Sequence, residues 1–145
     1  MNATNLRIDR IDEETLASVD QFTFPQILSR QAERLGSEKI AIREKAYGIW
    51  QTYNWRDYLQ YTKLVALGLH SLGLKRSENV GLILDNHPEW LFSELGAQSL
   101  GAVTIPLFTS AVAKELVSGL NRVKAAYVIA QDQEQVDKLL SWRDE

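Results

Sequence analysis

Few stretches of this sequence hold groups that could do chemistry, and the most suggestive is three residues long. Asp85-Asn86-His87 follows the apolar run Val80 to Leu84. A carboxylate, an amide and an imidazole at the C-terminal end of a strand can hold a ligand's polar groups or act as a general base, because ligands of open α/β sheets bind at that edge. The same residue types close turns and cap helices, and that reading is the favoured one from sequence alone. Thr109-Ser110, just after the run Ala102 to Phe108, is the one hydroxyl pair at the same edge, and a helix cap explains it equally well. Asn86, Thr109 and Ser110 are therefore the candidate substrate-facing, strand-end residues. No residue is assigned a catalytic, metal-ligating or cofactor-binding role. Two histidines without a His-x-x-x-His spacing, and no cysteine, leave no credible metal site. No serine sits in a Gly-x-Ser-x-Gly elbow, and neither G-x-G-x-x-G nor G-x-x-x-x-G-K-[ST] occurs.

The elements that would position these groups are legible. Thr23 with Gln26 forms a capping-box pattern, Pro25 fits a first turn, and Gly36 closes a helix that carries Phe24, Ile27, Leu28, Ala32 and Leu35 on one face. Lys39 to Glu44 and Ile49 to Tyr53 read as a hairpin around Ala46-Tyr47-Gly48. Asn54 caps a long helix with an apolar face from Trp55 through Tyr58, Thr62, Val65 and Leu69 to Leu72. From about residue 80 the chain alternates: strand Val80 to Leu84, helix Pro88 to Leu100 capped by Asn86 or His87, strand Ala102 to Phe108, helix Val112 to Asn121, strand Ala125 to Ala130, and a helix capped by Asp132 with Gln135. This βαβαβα order implies an α/β fold with a partly parallel sheet covered by helices, preceded by a helix, a hairpin and a long helix. Pro106 removes one ladder donor, which places it on an edge strand or at a strand end. Trp90 reads as an anchor of its helix on the sheet, and Trp50, Tyr53, Trp55 and Tyr58 as a hairpin-to-helix aromatic cluster. His70 reads as a surface residue, and Glu134, Asp137, Asp144 and Glu145 as a solvated face.

Composition narrows the partners. The chain has 145 residues, 45% of them apolar, and a net charge of −3, which disfavours nucleic acid. Residues 1–21 read as a polar lead-in without the apolar core of a signal peptide, and no stretch reaches the length of a membrane span, so the cytoplasm is the expected compartment.

Three stretches together carry a resemblance: Thr23 to Tyr58 with "GIWQTYNW", Gly68 to Phe108 with "NHPEW" and "GAVTIPLF", and Ala126 to Leu140 with "AYVIAQDQEQVDKLL". In order and spacing these resemble the N-terminal part of the AMP-forming acyl-CoA synthetases, the adenylate-forming enzymes, and especially bacterial long-chain fatty-acid–CoA ligases. Lys75-Arg76-Ser77-Glu78 departs from that pattern, where a Gly-Asp turn is usual, and Thr109-Ser110-Ala111 replaces a more polar stretch. The family's Ser/Thr/Gly-rich phosphate loop, its ribose-binding acid and its catalytic lysine have no counterpart here.

The resemblance implies that residues 22–145 are the N-terminal fragment of an AMP-binding synthetase domain. The parent reaction would join a fatty acid to coenzyme A through an acyl-adenylate, with ATP, Mg²⁺ and CoA. This chain alone would need no cofactor and would be inactive. Its partners would be the rest of the synthetase domain, with fatty acid and ATP bound by the whole, peripheral contact with a membrane, and self-association through exposed apolar surface. The alternative is a free-standing α/β binding or regulatory module. A receiver-like phosphoacceptor would need clustered acids at strand ends, which Asp85 alone does not supply.

Overall fold

The computed structural model describes residues 21–141. The expected lead-in (Gln21 excepted) and the pair Asp144-Glu145 lie outside the described residues. The elements are α1 (Phe24–Leu35), β1 (Ile40–Ala46), β2 (Ile49–Asn54), α2 (Trp55–Ser71), β3 (Asn79–Ile83), α3 (Pro88–Ser99), β4 (Val103–Leu107), α4 (Ala113–Arg122), β5 (Ala125–Ala130) and α5 (Gln133–Leu140).

Strands β1 and β2 pair only with each other, as an antiparallel hairpin. The second sheet is parallel, in the order β4-β3-β5. The sequence of β3 explains its central place. Val80, Leu82 and Ile83 are fully buried, which requires a neighbour on each edge and a helical layer on each face. Val80 and Leu82 face one layer, packing with Leu69 of α2, Ala97 of α3 and Tyr127 and Ile129 of β5. Ile83 faces the other, with Leu116 and Leu120 of α4 and Leu139 of α5. Pro106 lies in the edge strand β4, as expected of a residue that cannot donate to a ladder.

Local chemistry fixes the helix starts. Gln26 Oε1 accepts from Thr23 N at 2.9 Å. Asn54 and Asp57 exchange backbone-to-side-chain bonds of 2.9 and 3.0 Å at the start of α2, and Asp132 Oδ1 accepts from Gln135 N at 3.0 Å at α5. The turn before β3, Lys75 to Glu78, contains no glycine. Ser77 takes a left-handed φ of 67°, Glu78 Oε2 accepts from Lys75 N at 2.8 Å, and Ser77 N donates to Gly101 O at 2.9 Å.

Several side chains depart from the expected placement. Leu72 is exposed at the C-cap of α2, one residue past the point where the helix leaves the core. Trp90 is only half-buried, and Phe92 is the aromatic anchor of α3. Phe92 stacks on Tyr61 with centroids 5.1 Å apart and meets Tyr53 at 5.6 Å and Tyr58 at 5.7 Å. Trp50 stands outside this cluster, exposed on the hairpin.

Helices α2 and α3 touch closely because Gly96 has no side chain. A Cβ there would lie 2.8 Å from Val65 Cγ1 and 3.1 Å from the Thr62 carbonyl, a backbone atom that cannot yield. Gly68, also in α2, has open space around it. Urea denaturation should therefore show opposite effects. Gly96→Val should lower stability by about 3 kcal/mol through overpacking, and Gly68→Ala should raise it by roughly 1 kcal/mol through helix propensity.

Candidate functional site

The loops after β3, β4 and β5 meet at one edge of the parallel sheet. The helix after β3 packs on one face and the helix after β5 on the other, so the chain diverges between these neighbouring strands. Such a switch point leaves a crevice at the C-terminal ends of the strands. A cavity of about 710 Å³ opens there, lined by Tyr61 and Leu64 of α2, Phe92 of α3, Leu84, Ile129 and Gln131 among others. A second, of about 490 Å³, lies towards β4 and is lined by Asp85, Asn86, Trp90, Phe108 and Thr109 among others. The first wall is mostly apolar, a product of the 3.6-residue spacing of Tyr61, Leu64 and Val65 on α2.

Between the cavities the three strand ends are tied by side chains. Thr109 Oγ1 donates to Asp85 Oδ1 at 2.5 Å. Gln131 Oε1 accepts from Asp85 N at 2.5 Å, and Gln131 Nε2 donates to Asp85 Oδ2 at 3.3 Å. Lys138 of α5 donates to the Thr109 carbonyl at 2.9 Å and pairs with Glu134 at 2.8 Å. On the other side of the loop, His87 Nδ1 pairs with Glu44 Oε1 of β1, which joins the hairpin to the sheet edge.

The charges respond to this geometry. The Thr109 hydroxyl, then the Gln131 amide, hold the Asp85 carboxyl below its usual range. The hydrogen bond to Glu44 raises His87. Burial, then Glu94, pushes the Tyr58 phenol up to about 12.

The structure thus brings Thr109 to Asp85 and places Asn86 in the lining of the smaller cavity. Ser110 is exposed in the bend before α4 and lines neither cavity. His87, one of the two residues expected to cap α3, is its N-cap, and Val112 rather than Thr109 or Ser110 is the N-cap of α4. Neither makes a side-chain capping bond, and Thr109 and Asp85 bond to each other across the strand ends. The residue missed by sequence reading is Gln131. Its position directly after β5 was the available signal, since a strand in register with β3 delivers its next residue beside Asp85.

This edge does not fit a nucleotide triphosphate. Asp85 presents negative charge, the turn after β3 holds no glycine that would let backbone N–H groups approach a phosphate, and Lys138 is held by Glu134 and Thr109. Among the described residues no group of three or more His, Cys, Asp or Glu stands together for a metal ion. No helix of the described residues is long and apolar enough to cross a membrane.

The same fold, a parallel sheet between helical layers preceded by a helix, a hairpin and a long helix, recurs as part of larger solved N-terminal domains, of which this chain covers under a third. The family model described as AMP-binding enzyme matches residues 28–145, and the chain belongs to that family. It is 24% identical over 136 residues to long-chain-fatty-acid–CoA ligase ACSBG2 of Xenopus laevis, covering 94% of this chain and 18% of the relative. The chain thus spans about a fifth of the length of such curated relatives. Among solved structures, the inhibitor-bound N-terminal domain of FACL13 from Mycobacterium tuberculosis superposes with a TM-score of 0.74 at 22% identity, over 83% of this chain and 29% of that one. The anthranilate CoA ligase AuaEII, in complex with anthranoyl-AMP, gives 0.73 at 25% identity, over 85% and 23%.

The two perturbed groups should respond oppositely to pH. A depressed Asp85 stabilises the fold above its unfolded pKa, near 3.8, and that contribution fades as pH falls through the folded value. A raised His87 stabilises below its unfolded pKa, near 6.5, and that contribution fades as pH rises through the folded value. Side-chain NMR titration should show Thr109→Val moving Asp85 up and Glu44→Gln moving His87 down. Unchanged midpoints would mean these contacts do not persist in solution.

Proposed function

We propose that this chain supplies the N-terminal part of a long-chain fatty-acid–CoA ligase and contributes apolar wall and support rather than reacting groups. The observation that carries this reading is the apolar cavity at the switch point, in a chain whose family match runs over residues 28–145. In the full reaction a fatty-acid carboxylate oxygen attacks the α-phosphorus of ATP and pyrophosphate leaves. The thiol of coenzyme A, losing its proton, then attacks the acyl carbonyl and AMP leaves. Mg²⁺ and cationic groups would offset the phosphate charge in the first step. No residue of this chain matches the phosphate loop or the lysine for that work, so the chain by itself is inactive.

The exposed apolar side chains support a second part of the reading. Tyr61, Leu64 and Leu67 lie open along α2, and Leu72 lies open at its C-cap. Such a stripe fits a surface that the remainder of a synthetase domain covers, and it would favour self-association when that remainder is absent. On this reading residues 22–145 form one incomplete subdomain of a protein acting in the cytoplasm.

The test is palmitate-dependent exchange of labelled pyrophosphate into ATP, beside a direct titration with labelled ATP. The chain alone should give no exchange and no saturable ATP binding at micromolar concentration. Exchange should arise when it is mixed with the phosphate-loop and C-terminal parts of a related ligase. Saturable ATP binding or exchange by the chain alone would overturn the reading.

A further inference from the structure

The hairpin and the parallel sheet are separate ladders, and one polar contact between them stands at the mouth of a cavity. Among the described residues, Glu44 with His87 is the only side-chain hydrogen bond from the β1–β2 hairpin to the sheet or to α3. Tyr53 of β2 lines the larger cavity together with His87 and Glu89 at the start of α3, so the hairpin is one of its walls. Glu44 is largely covered and His87 is half exposed, so protons reach the pair while water screens it only in part.

The hairpin has the parts of a lever. Its ladder is irregular between Ile40 and Ile42, a bulge that bends the ribbon at its base. The base is fixed by Trp55 N, which donates to Lys39 O at 3.3 Å, and by the Tyr53 ring, which meets Phe92 at 5.6 Å. Register pairs Ile42 with Tyr53 and Glu44 with Gln51, so Glu44 lies beyond this anchor, towards the tip. It holds the part of the ribbon that the base does not.

Charge makes that hold conditional. Glu44 from β1, Glu89 from α3 and Asp85 from the end of β3 all act on His87, and the bond to Glu44 is the largest effect. Asp85 is already bonded to Thr109 and Gln131. Glu44 and Glu89 both bear on the Tyr53 phenol, so a carboxylate of the hairpin and one of α3 stand near a single ring. A protonated His87 offsets both. Without that proton, hairpin and helix face each other with like charges. We propose that the hairpin is a proton-controlled lid on the larger cavity, latched by protonated His87 through Glu44 and free to swing out about its base when the proton leaves. The latch is fully present at low pH and fades as pH rises through the folded value of His87, which lies above 6.5. A neutral imidazole still donates one hydrogen bond to Glu44, so the lid loosens rather than detaches.

The proposal concerns access to the cavity and stands apart from the ligase reading, because its test needs no ATP, acyl substrate or other part of a synthetase. The test is amide hydrogen exchange of the full chain from about pH 5.5 to 8.5, across the titration of His87, expressed as protection factors. Binding of the neutral fluorophore N-phenyl-1-naphthylamine is measured over the same range. Protection of the β1–β2 amides should fall about threefold, the scale of a partly exposed ion pair, with the midpoint that NMR gives for His87. Strands β3 and β5 should keep theirs, and probe binding should rise with the same midpoint. Glu44→Gln should flatten both profiles. Glu89→Gln should keep the latch but shrink the fall, since it removes the repulsion and leaves the pair. A merely structural role for either residue would shift protection equally at every pH. If Glu44→Gln fails to fold, the exposed Glu89→Gln still decides the question. Four results would overturn the proposal: hairpin protection constant through the His87 titration, an equal fall in β3, a wild-type profile in either variant, or probe binding that is absent or independent of pH.

Discussion

The burial of β3 is the constraint on which the rest of the structure depends. Val80, Leu82 and Ile83 are wholly removed from solvent, so every backbone group between them must be paired and every side chain covered. Parallel neighbours on both edges meet the first demand, and they require long crossovers, which are the helices that meet the second. Gly81 shows how tight the result is, since a Cβ there would run into the Leu120 side chain of α4. The same arrangement fixes which way the strands point, and so gathers the loops after β3, β4 and β5 at a single edge.

That edge is built for order rather than for phosphate. Asp85 spends its carboxylate on Thr109 and Gln131, and Lys138 spends its charge on Glu134 and a backbone carbonyl. A network satisfied internally rigidifies three loops, and it leaves the crevice beside them to apolar walls. The absence of glycine after β3 follows from the same logic, because nothing needs the backbone to come close. Belonging to an AMP-binding family is compatible with this, since the matched relatives are about five times longer and hold room for phosphate chemistry elsewhere.

The hairpin and the parallel sheet are separate ladders joined by side chains. His87 and Glu44 close one contact, and Tyr53 against Phe92 closes another. The inner half of the hairpin is therefore anchored to the body. The outer half, with its tyrosine, isoleucine and tryptophan, is held by its own ladder alone.

What the sequence determined by itself was local. Capping residues, glycines with positive φ and apolar periods set every helix and strand to within two residues, because these signals act over one or two turns. Pro106 restricted its strand to an edge or an end because a missing N–H is a property of one residue, and the sheet order made it the edge. Tertiary structure decided what no local signal encodes. It set Gln131 beside Asp85, 46 positions away, made Phe92 the anchor in place of Trp90, and left Leu72 in solvent although its spacing matched the buried face. The Thr109 hydroxyl could have capped a helix or reached another strand end, and only the register of β3 and β4 chose between them. Side-chain partners across strands depend on that register, which is fixed by the packing of the whole sheet between its helices and not by the residues at the site.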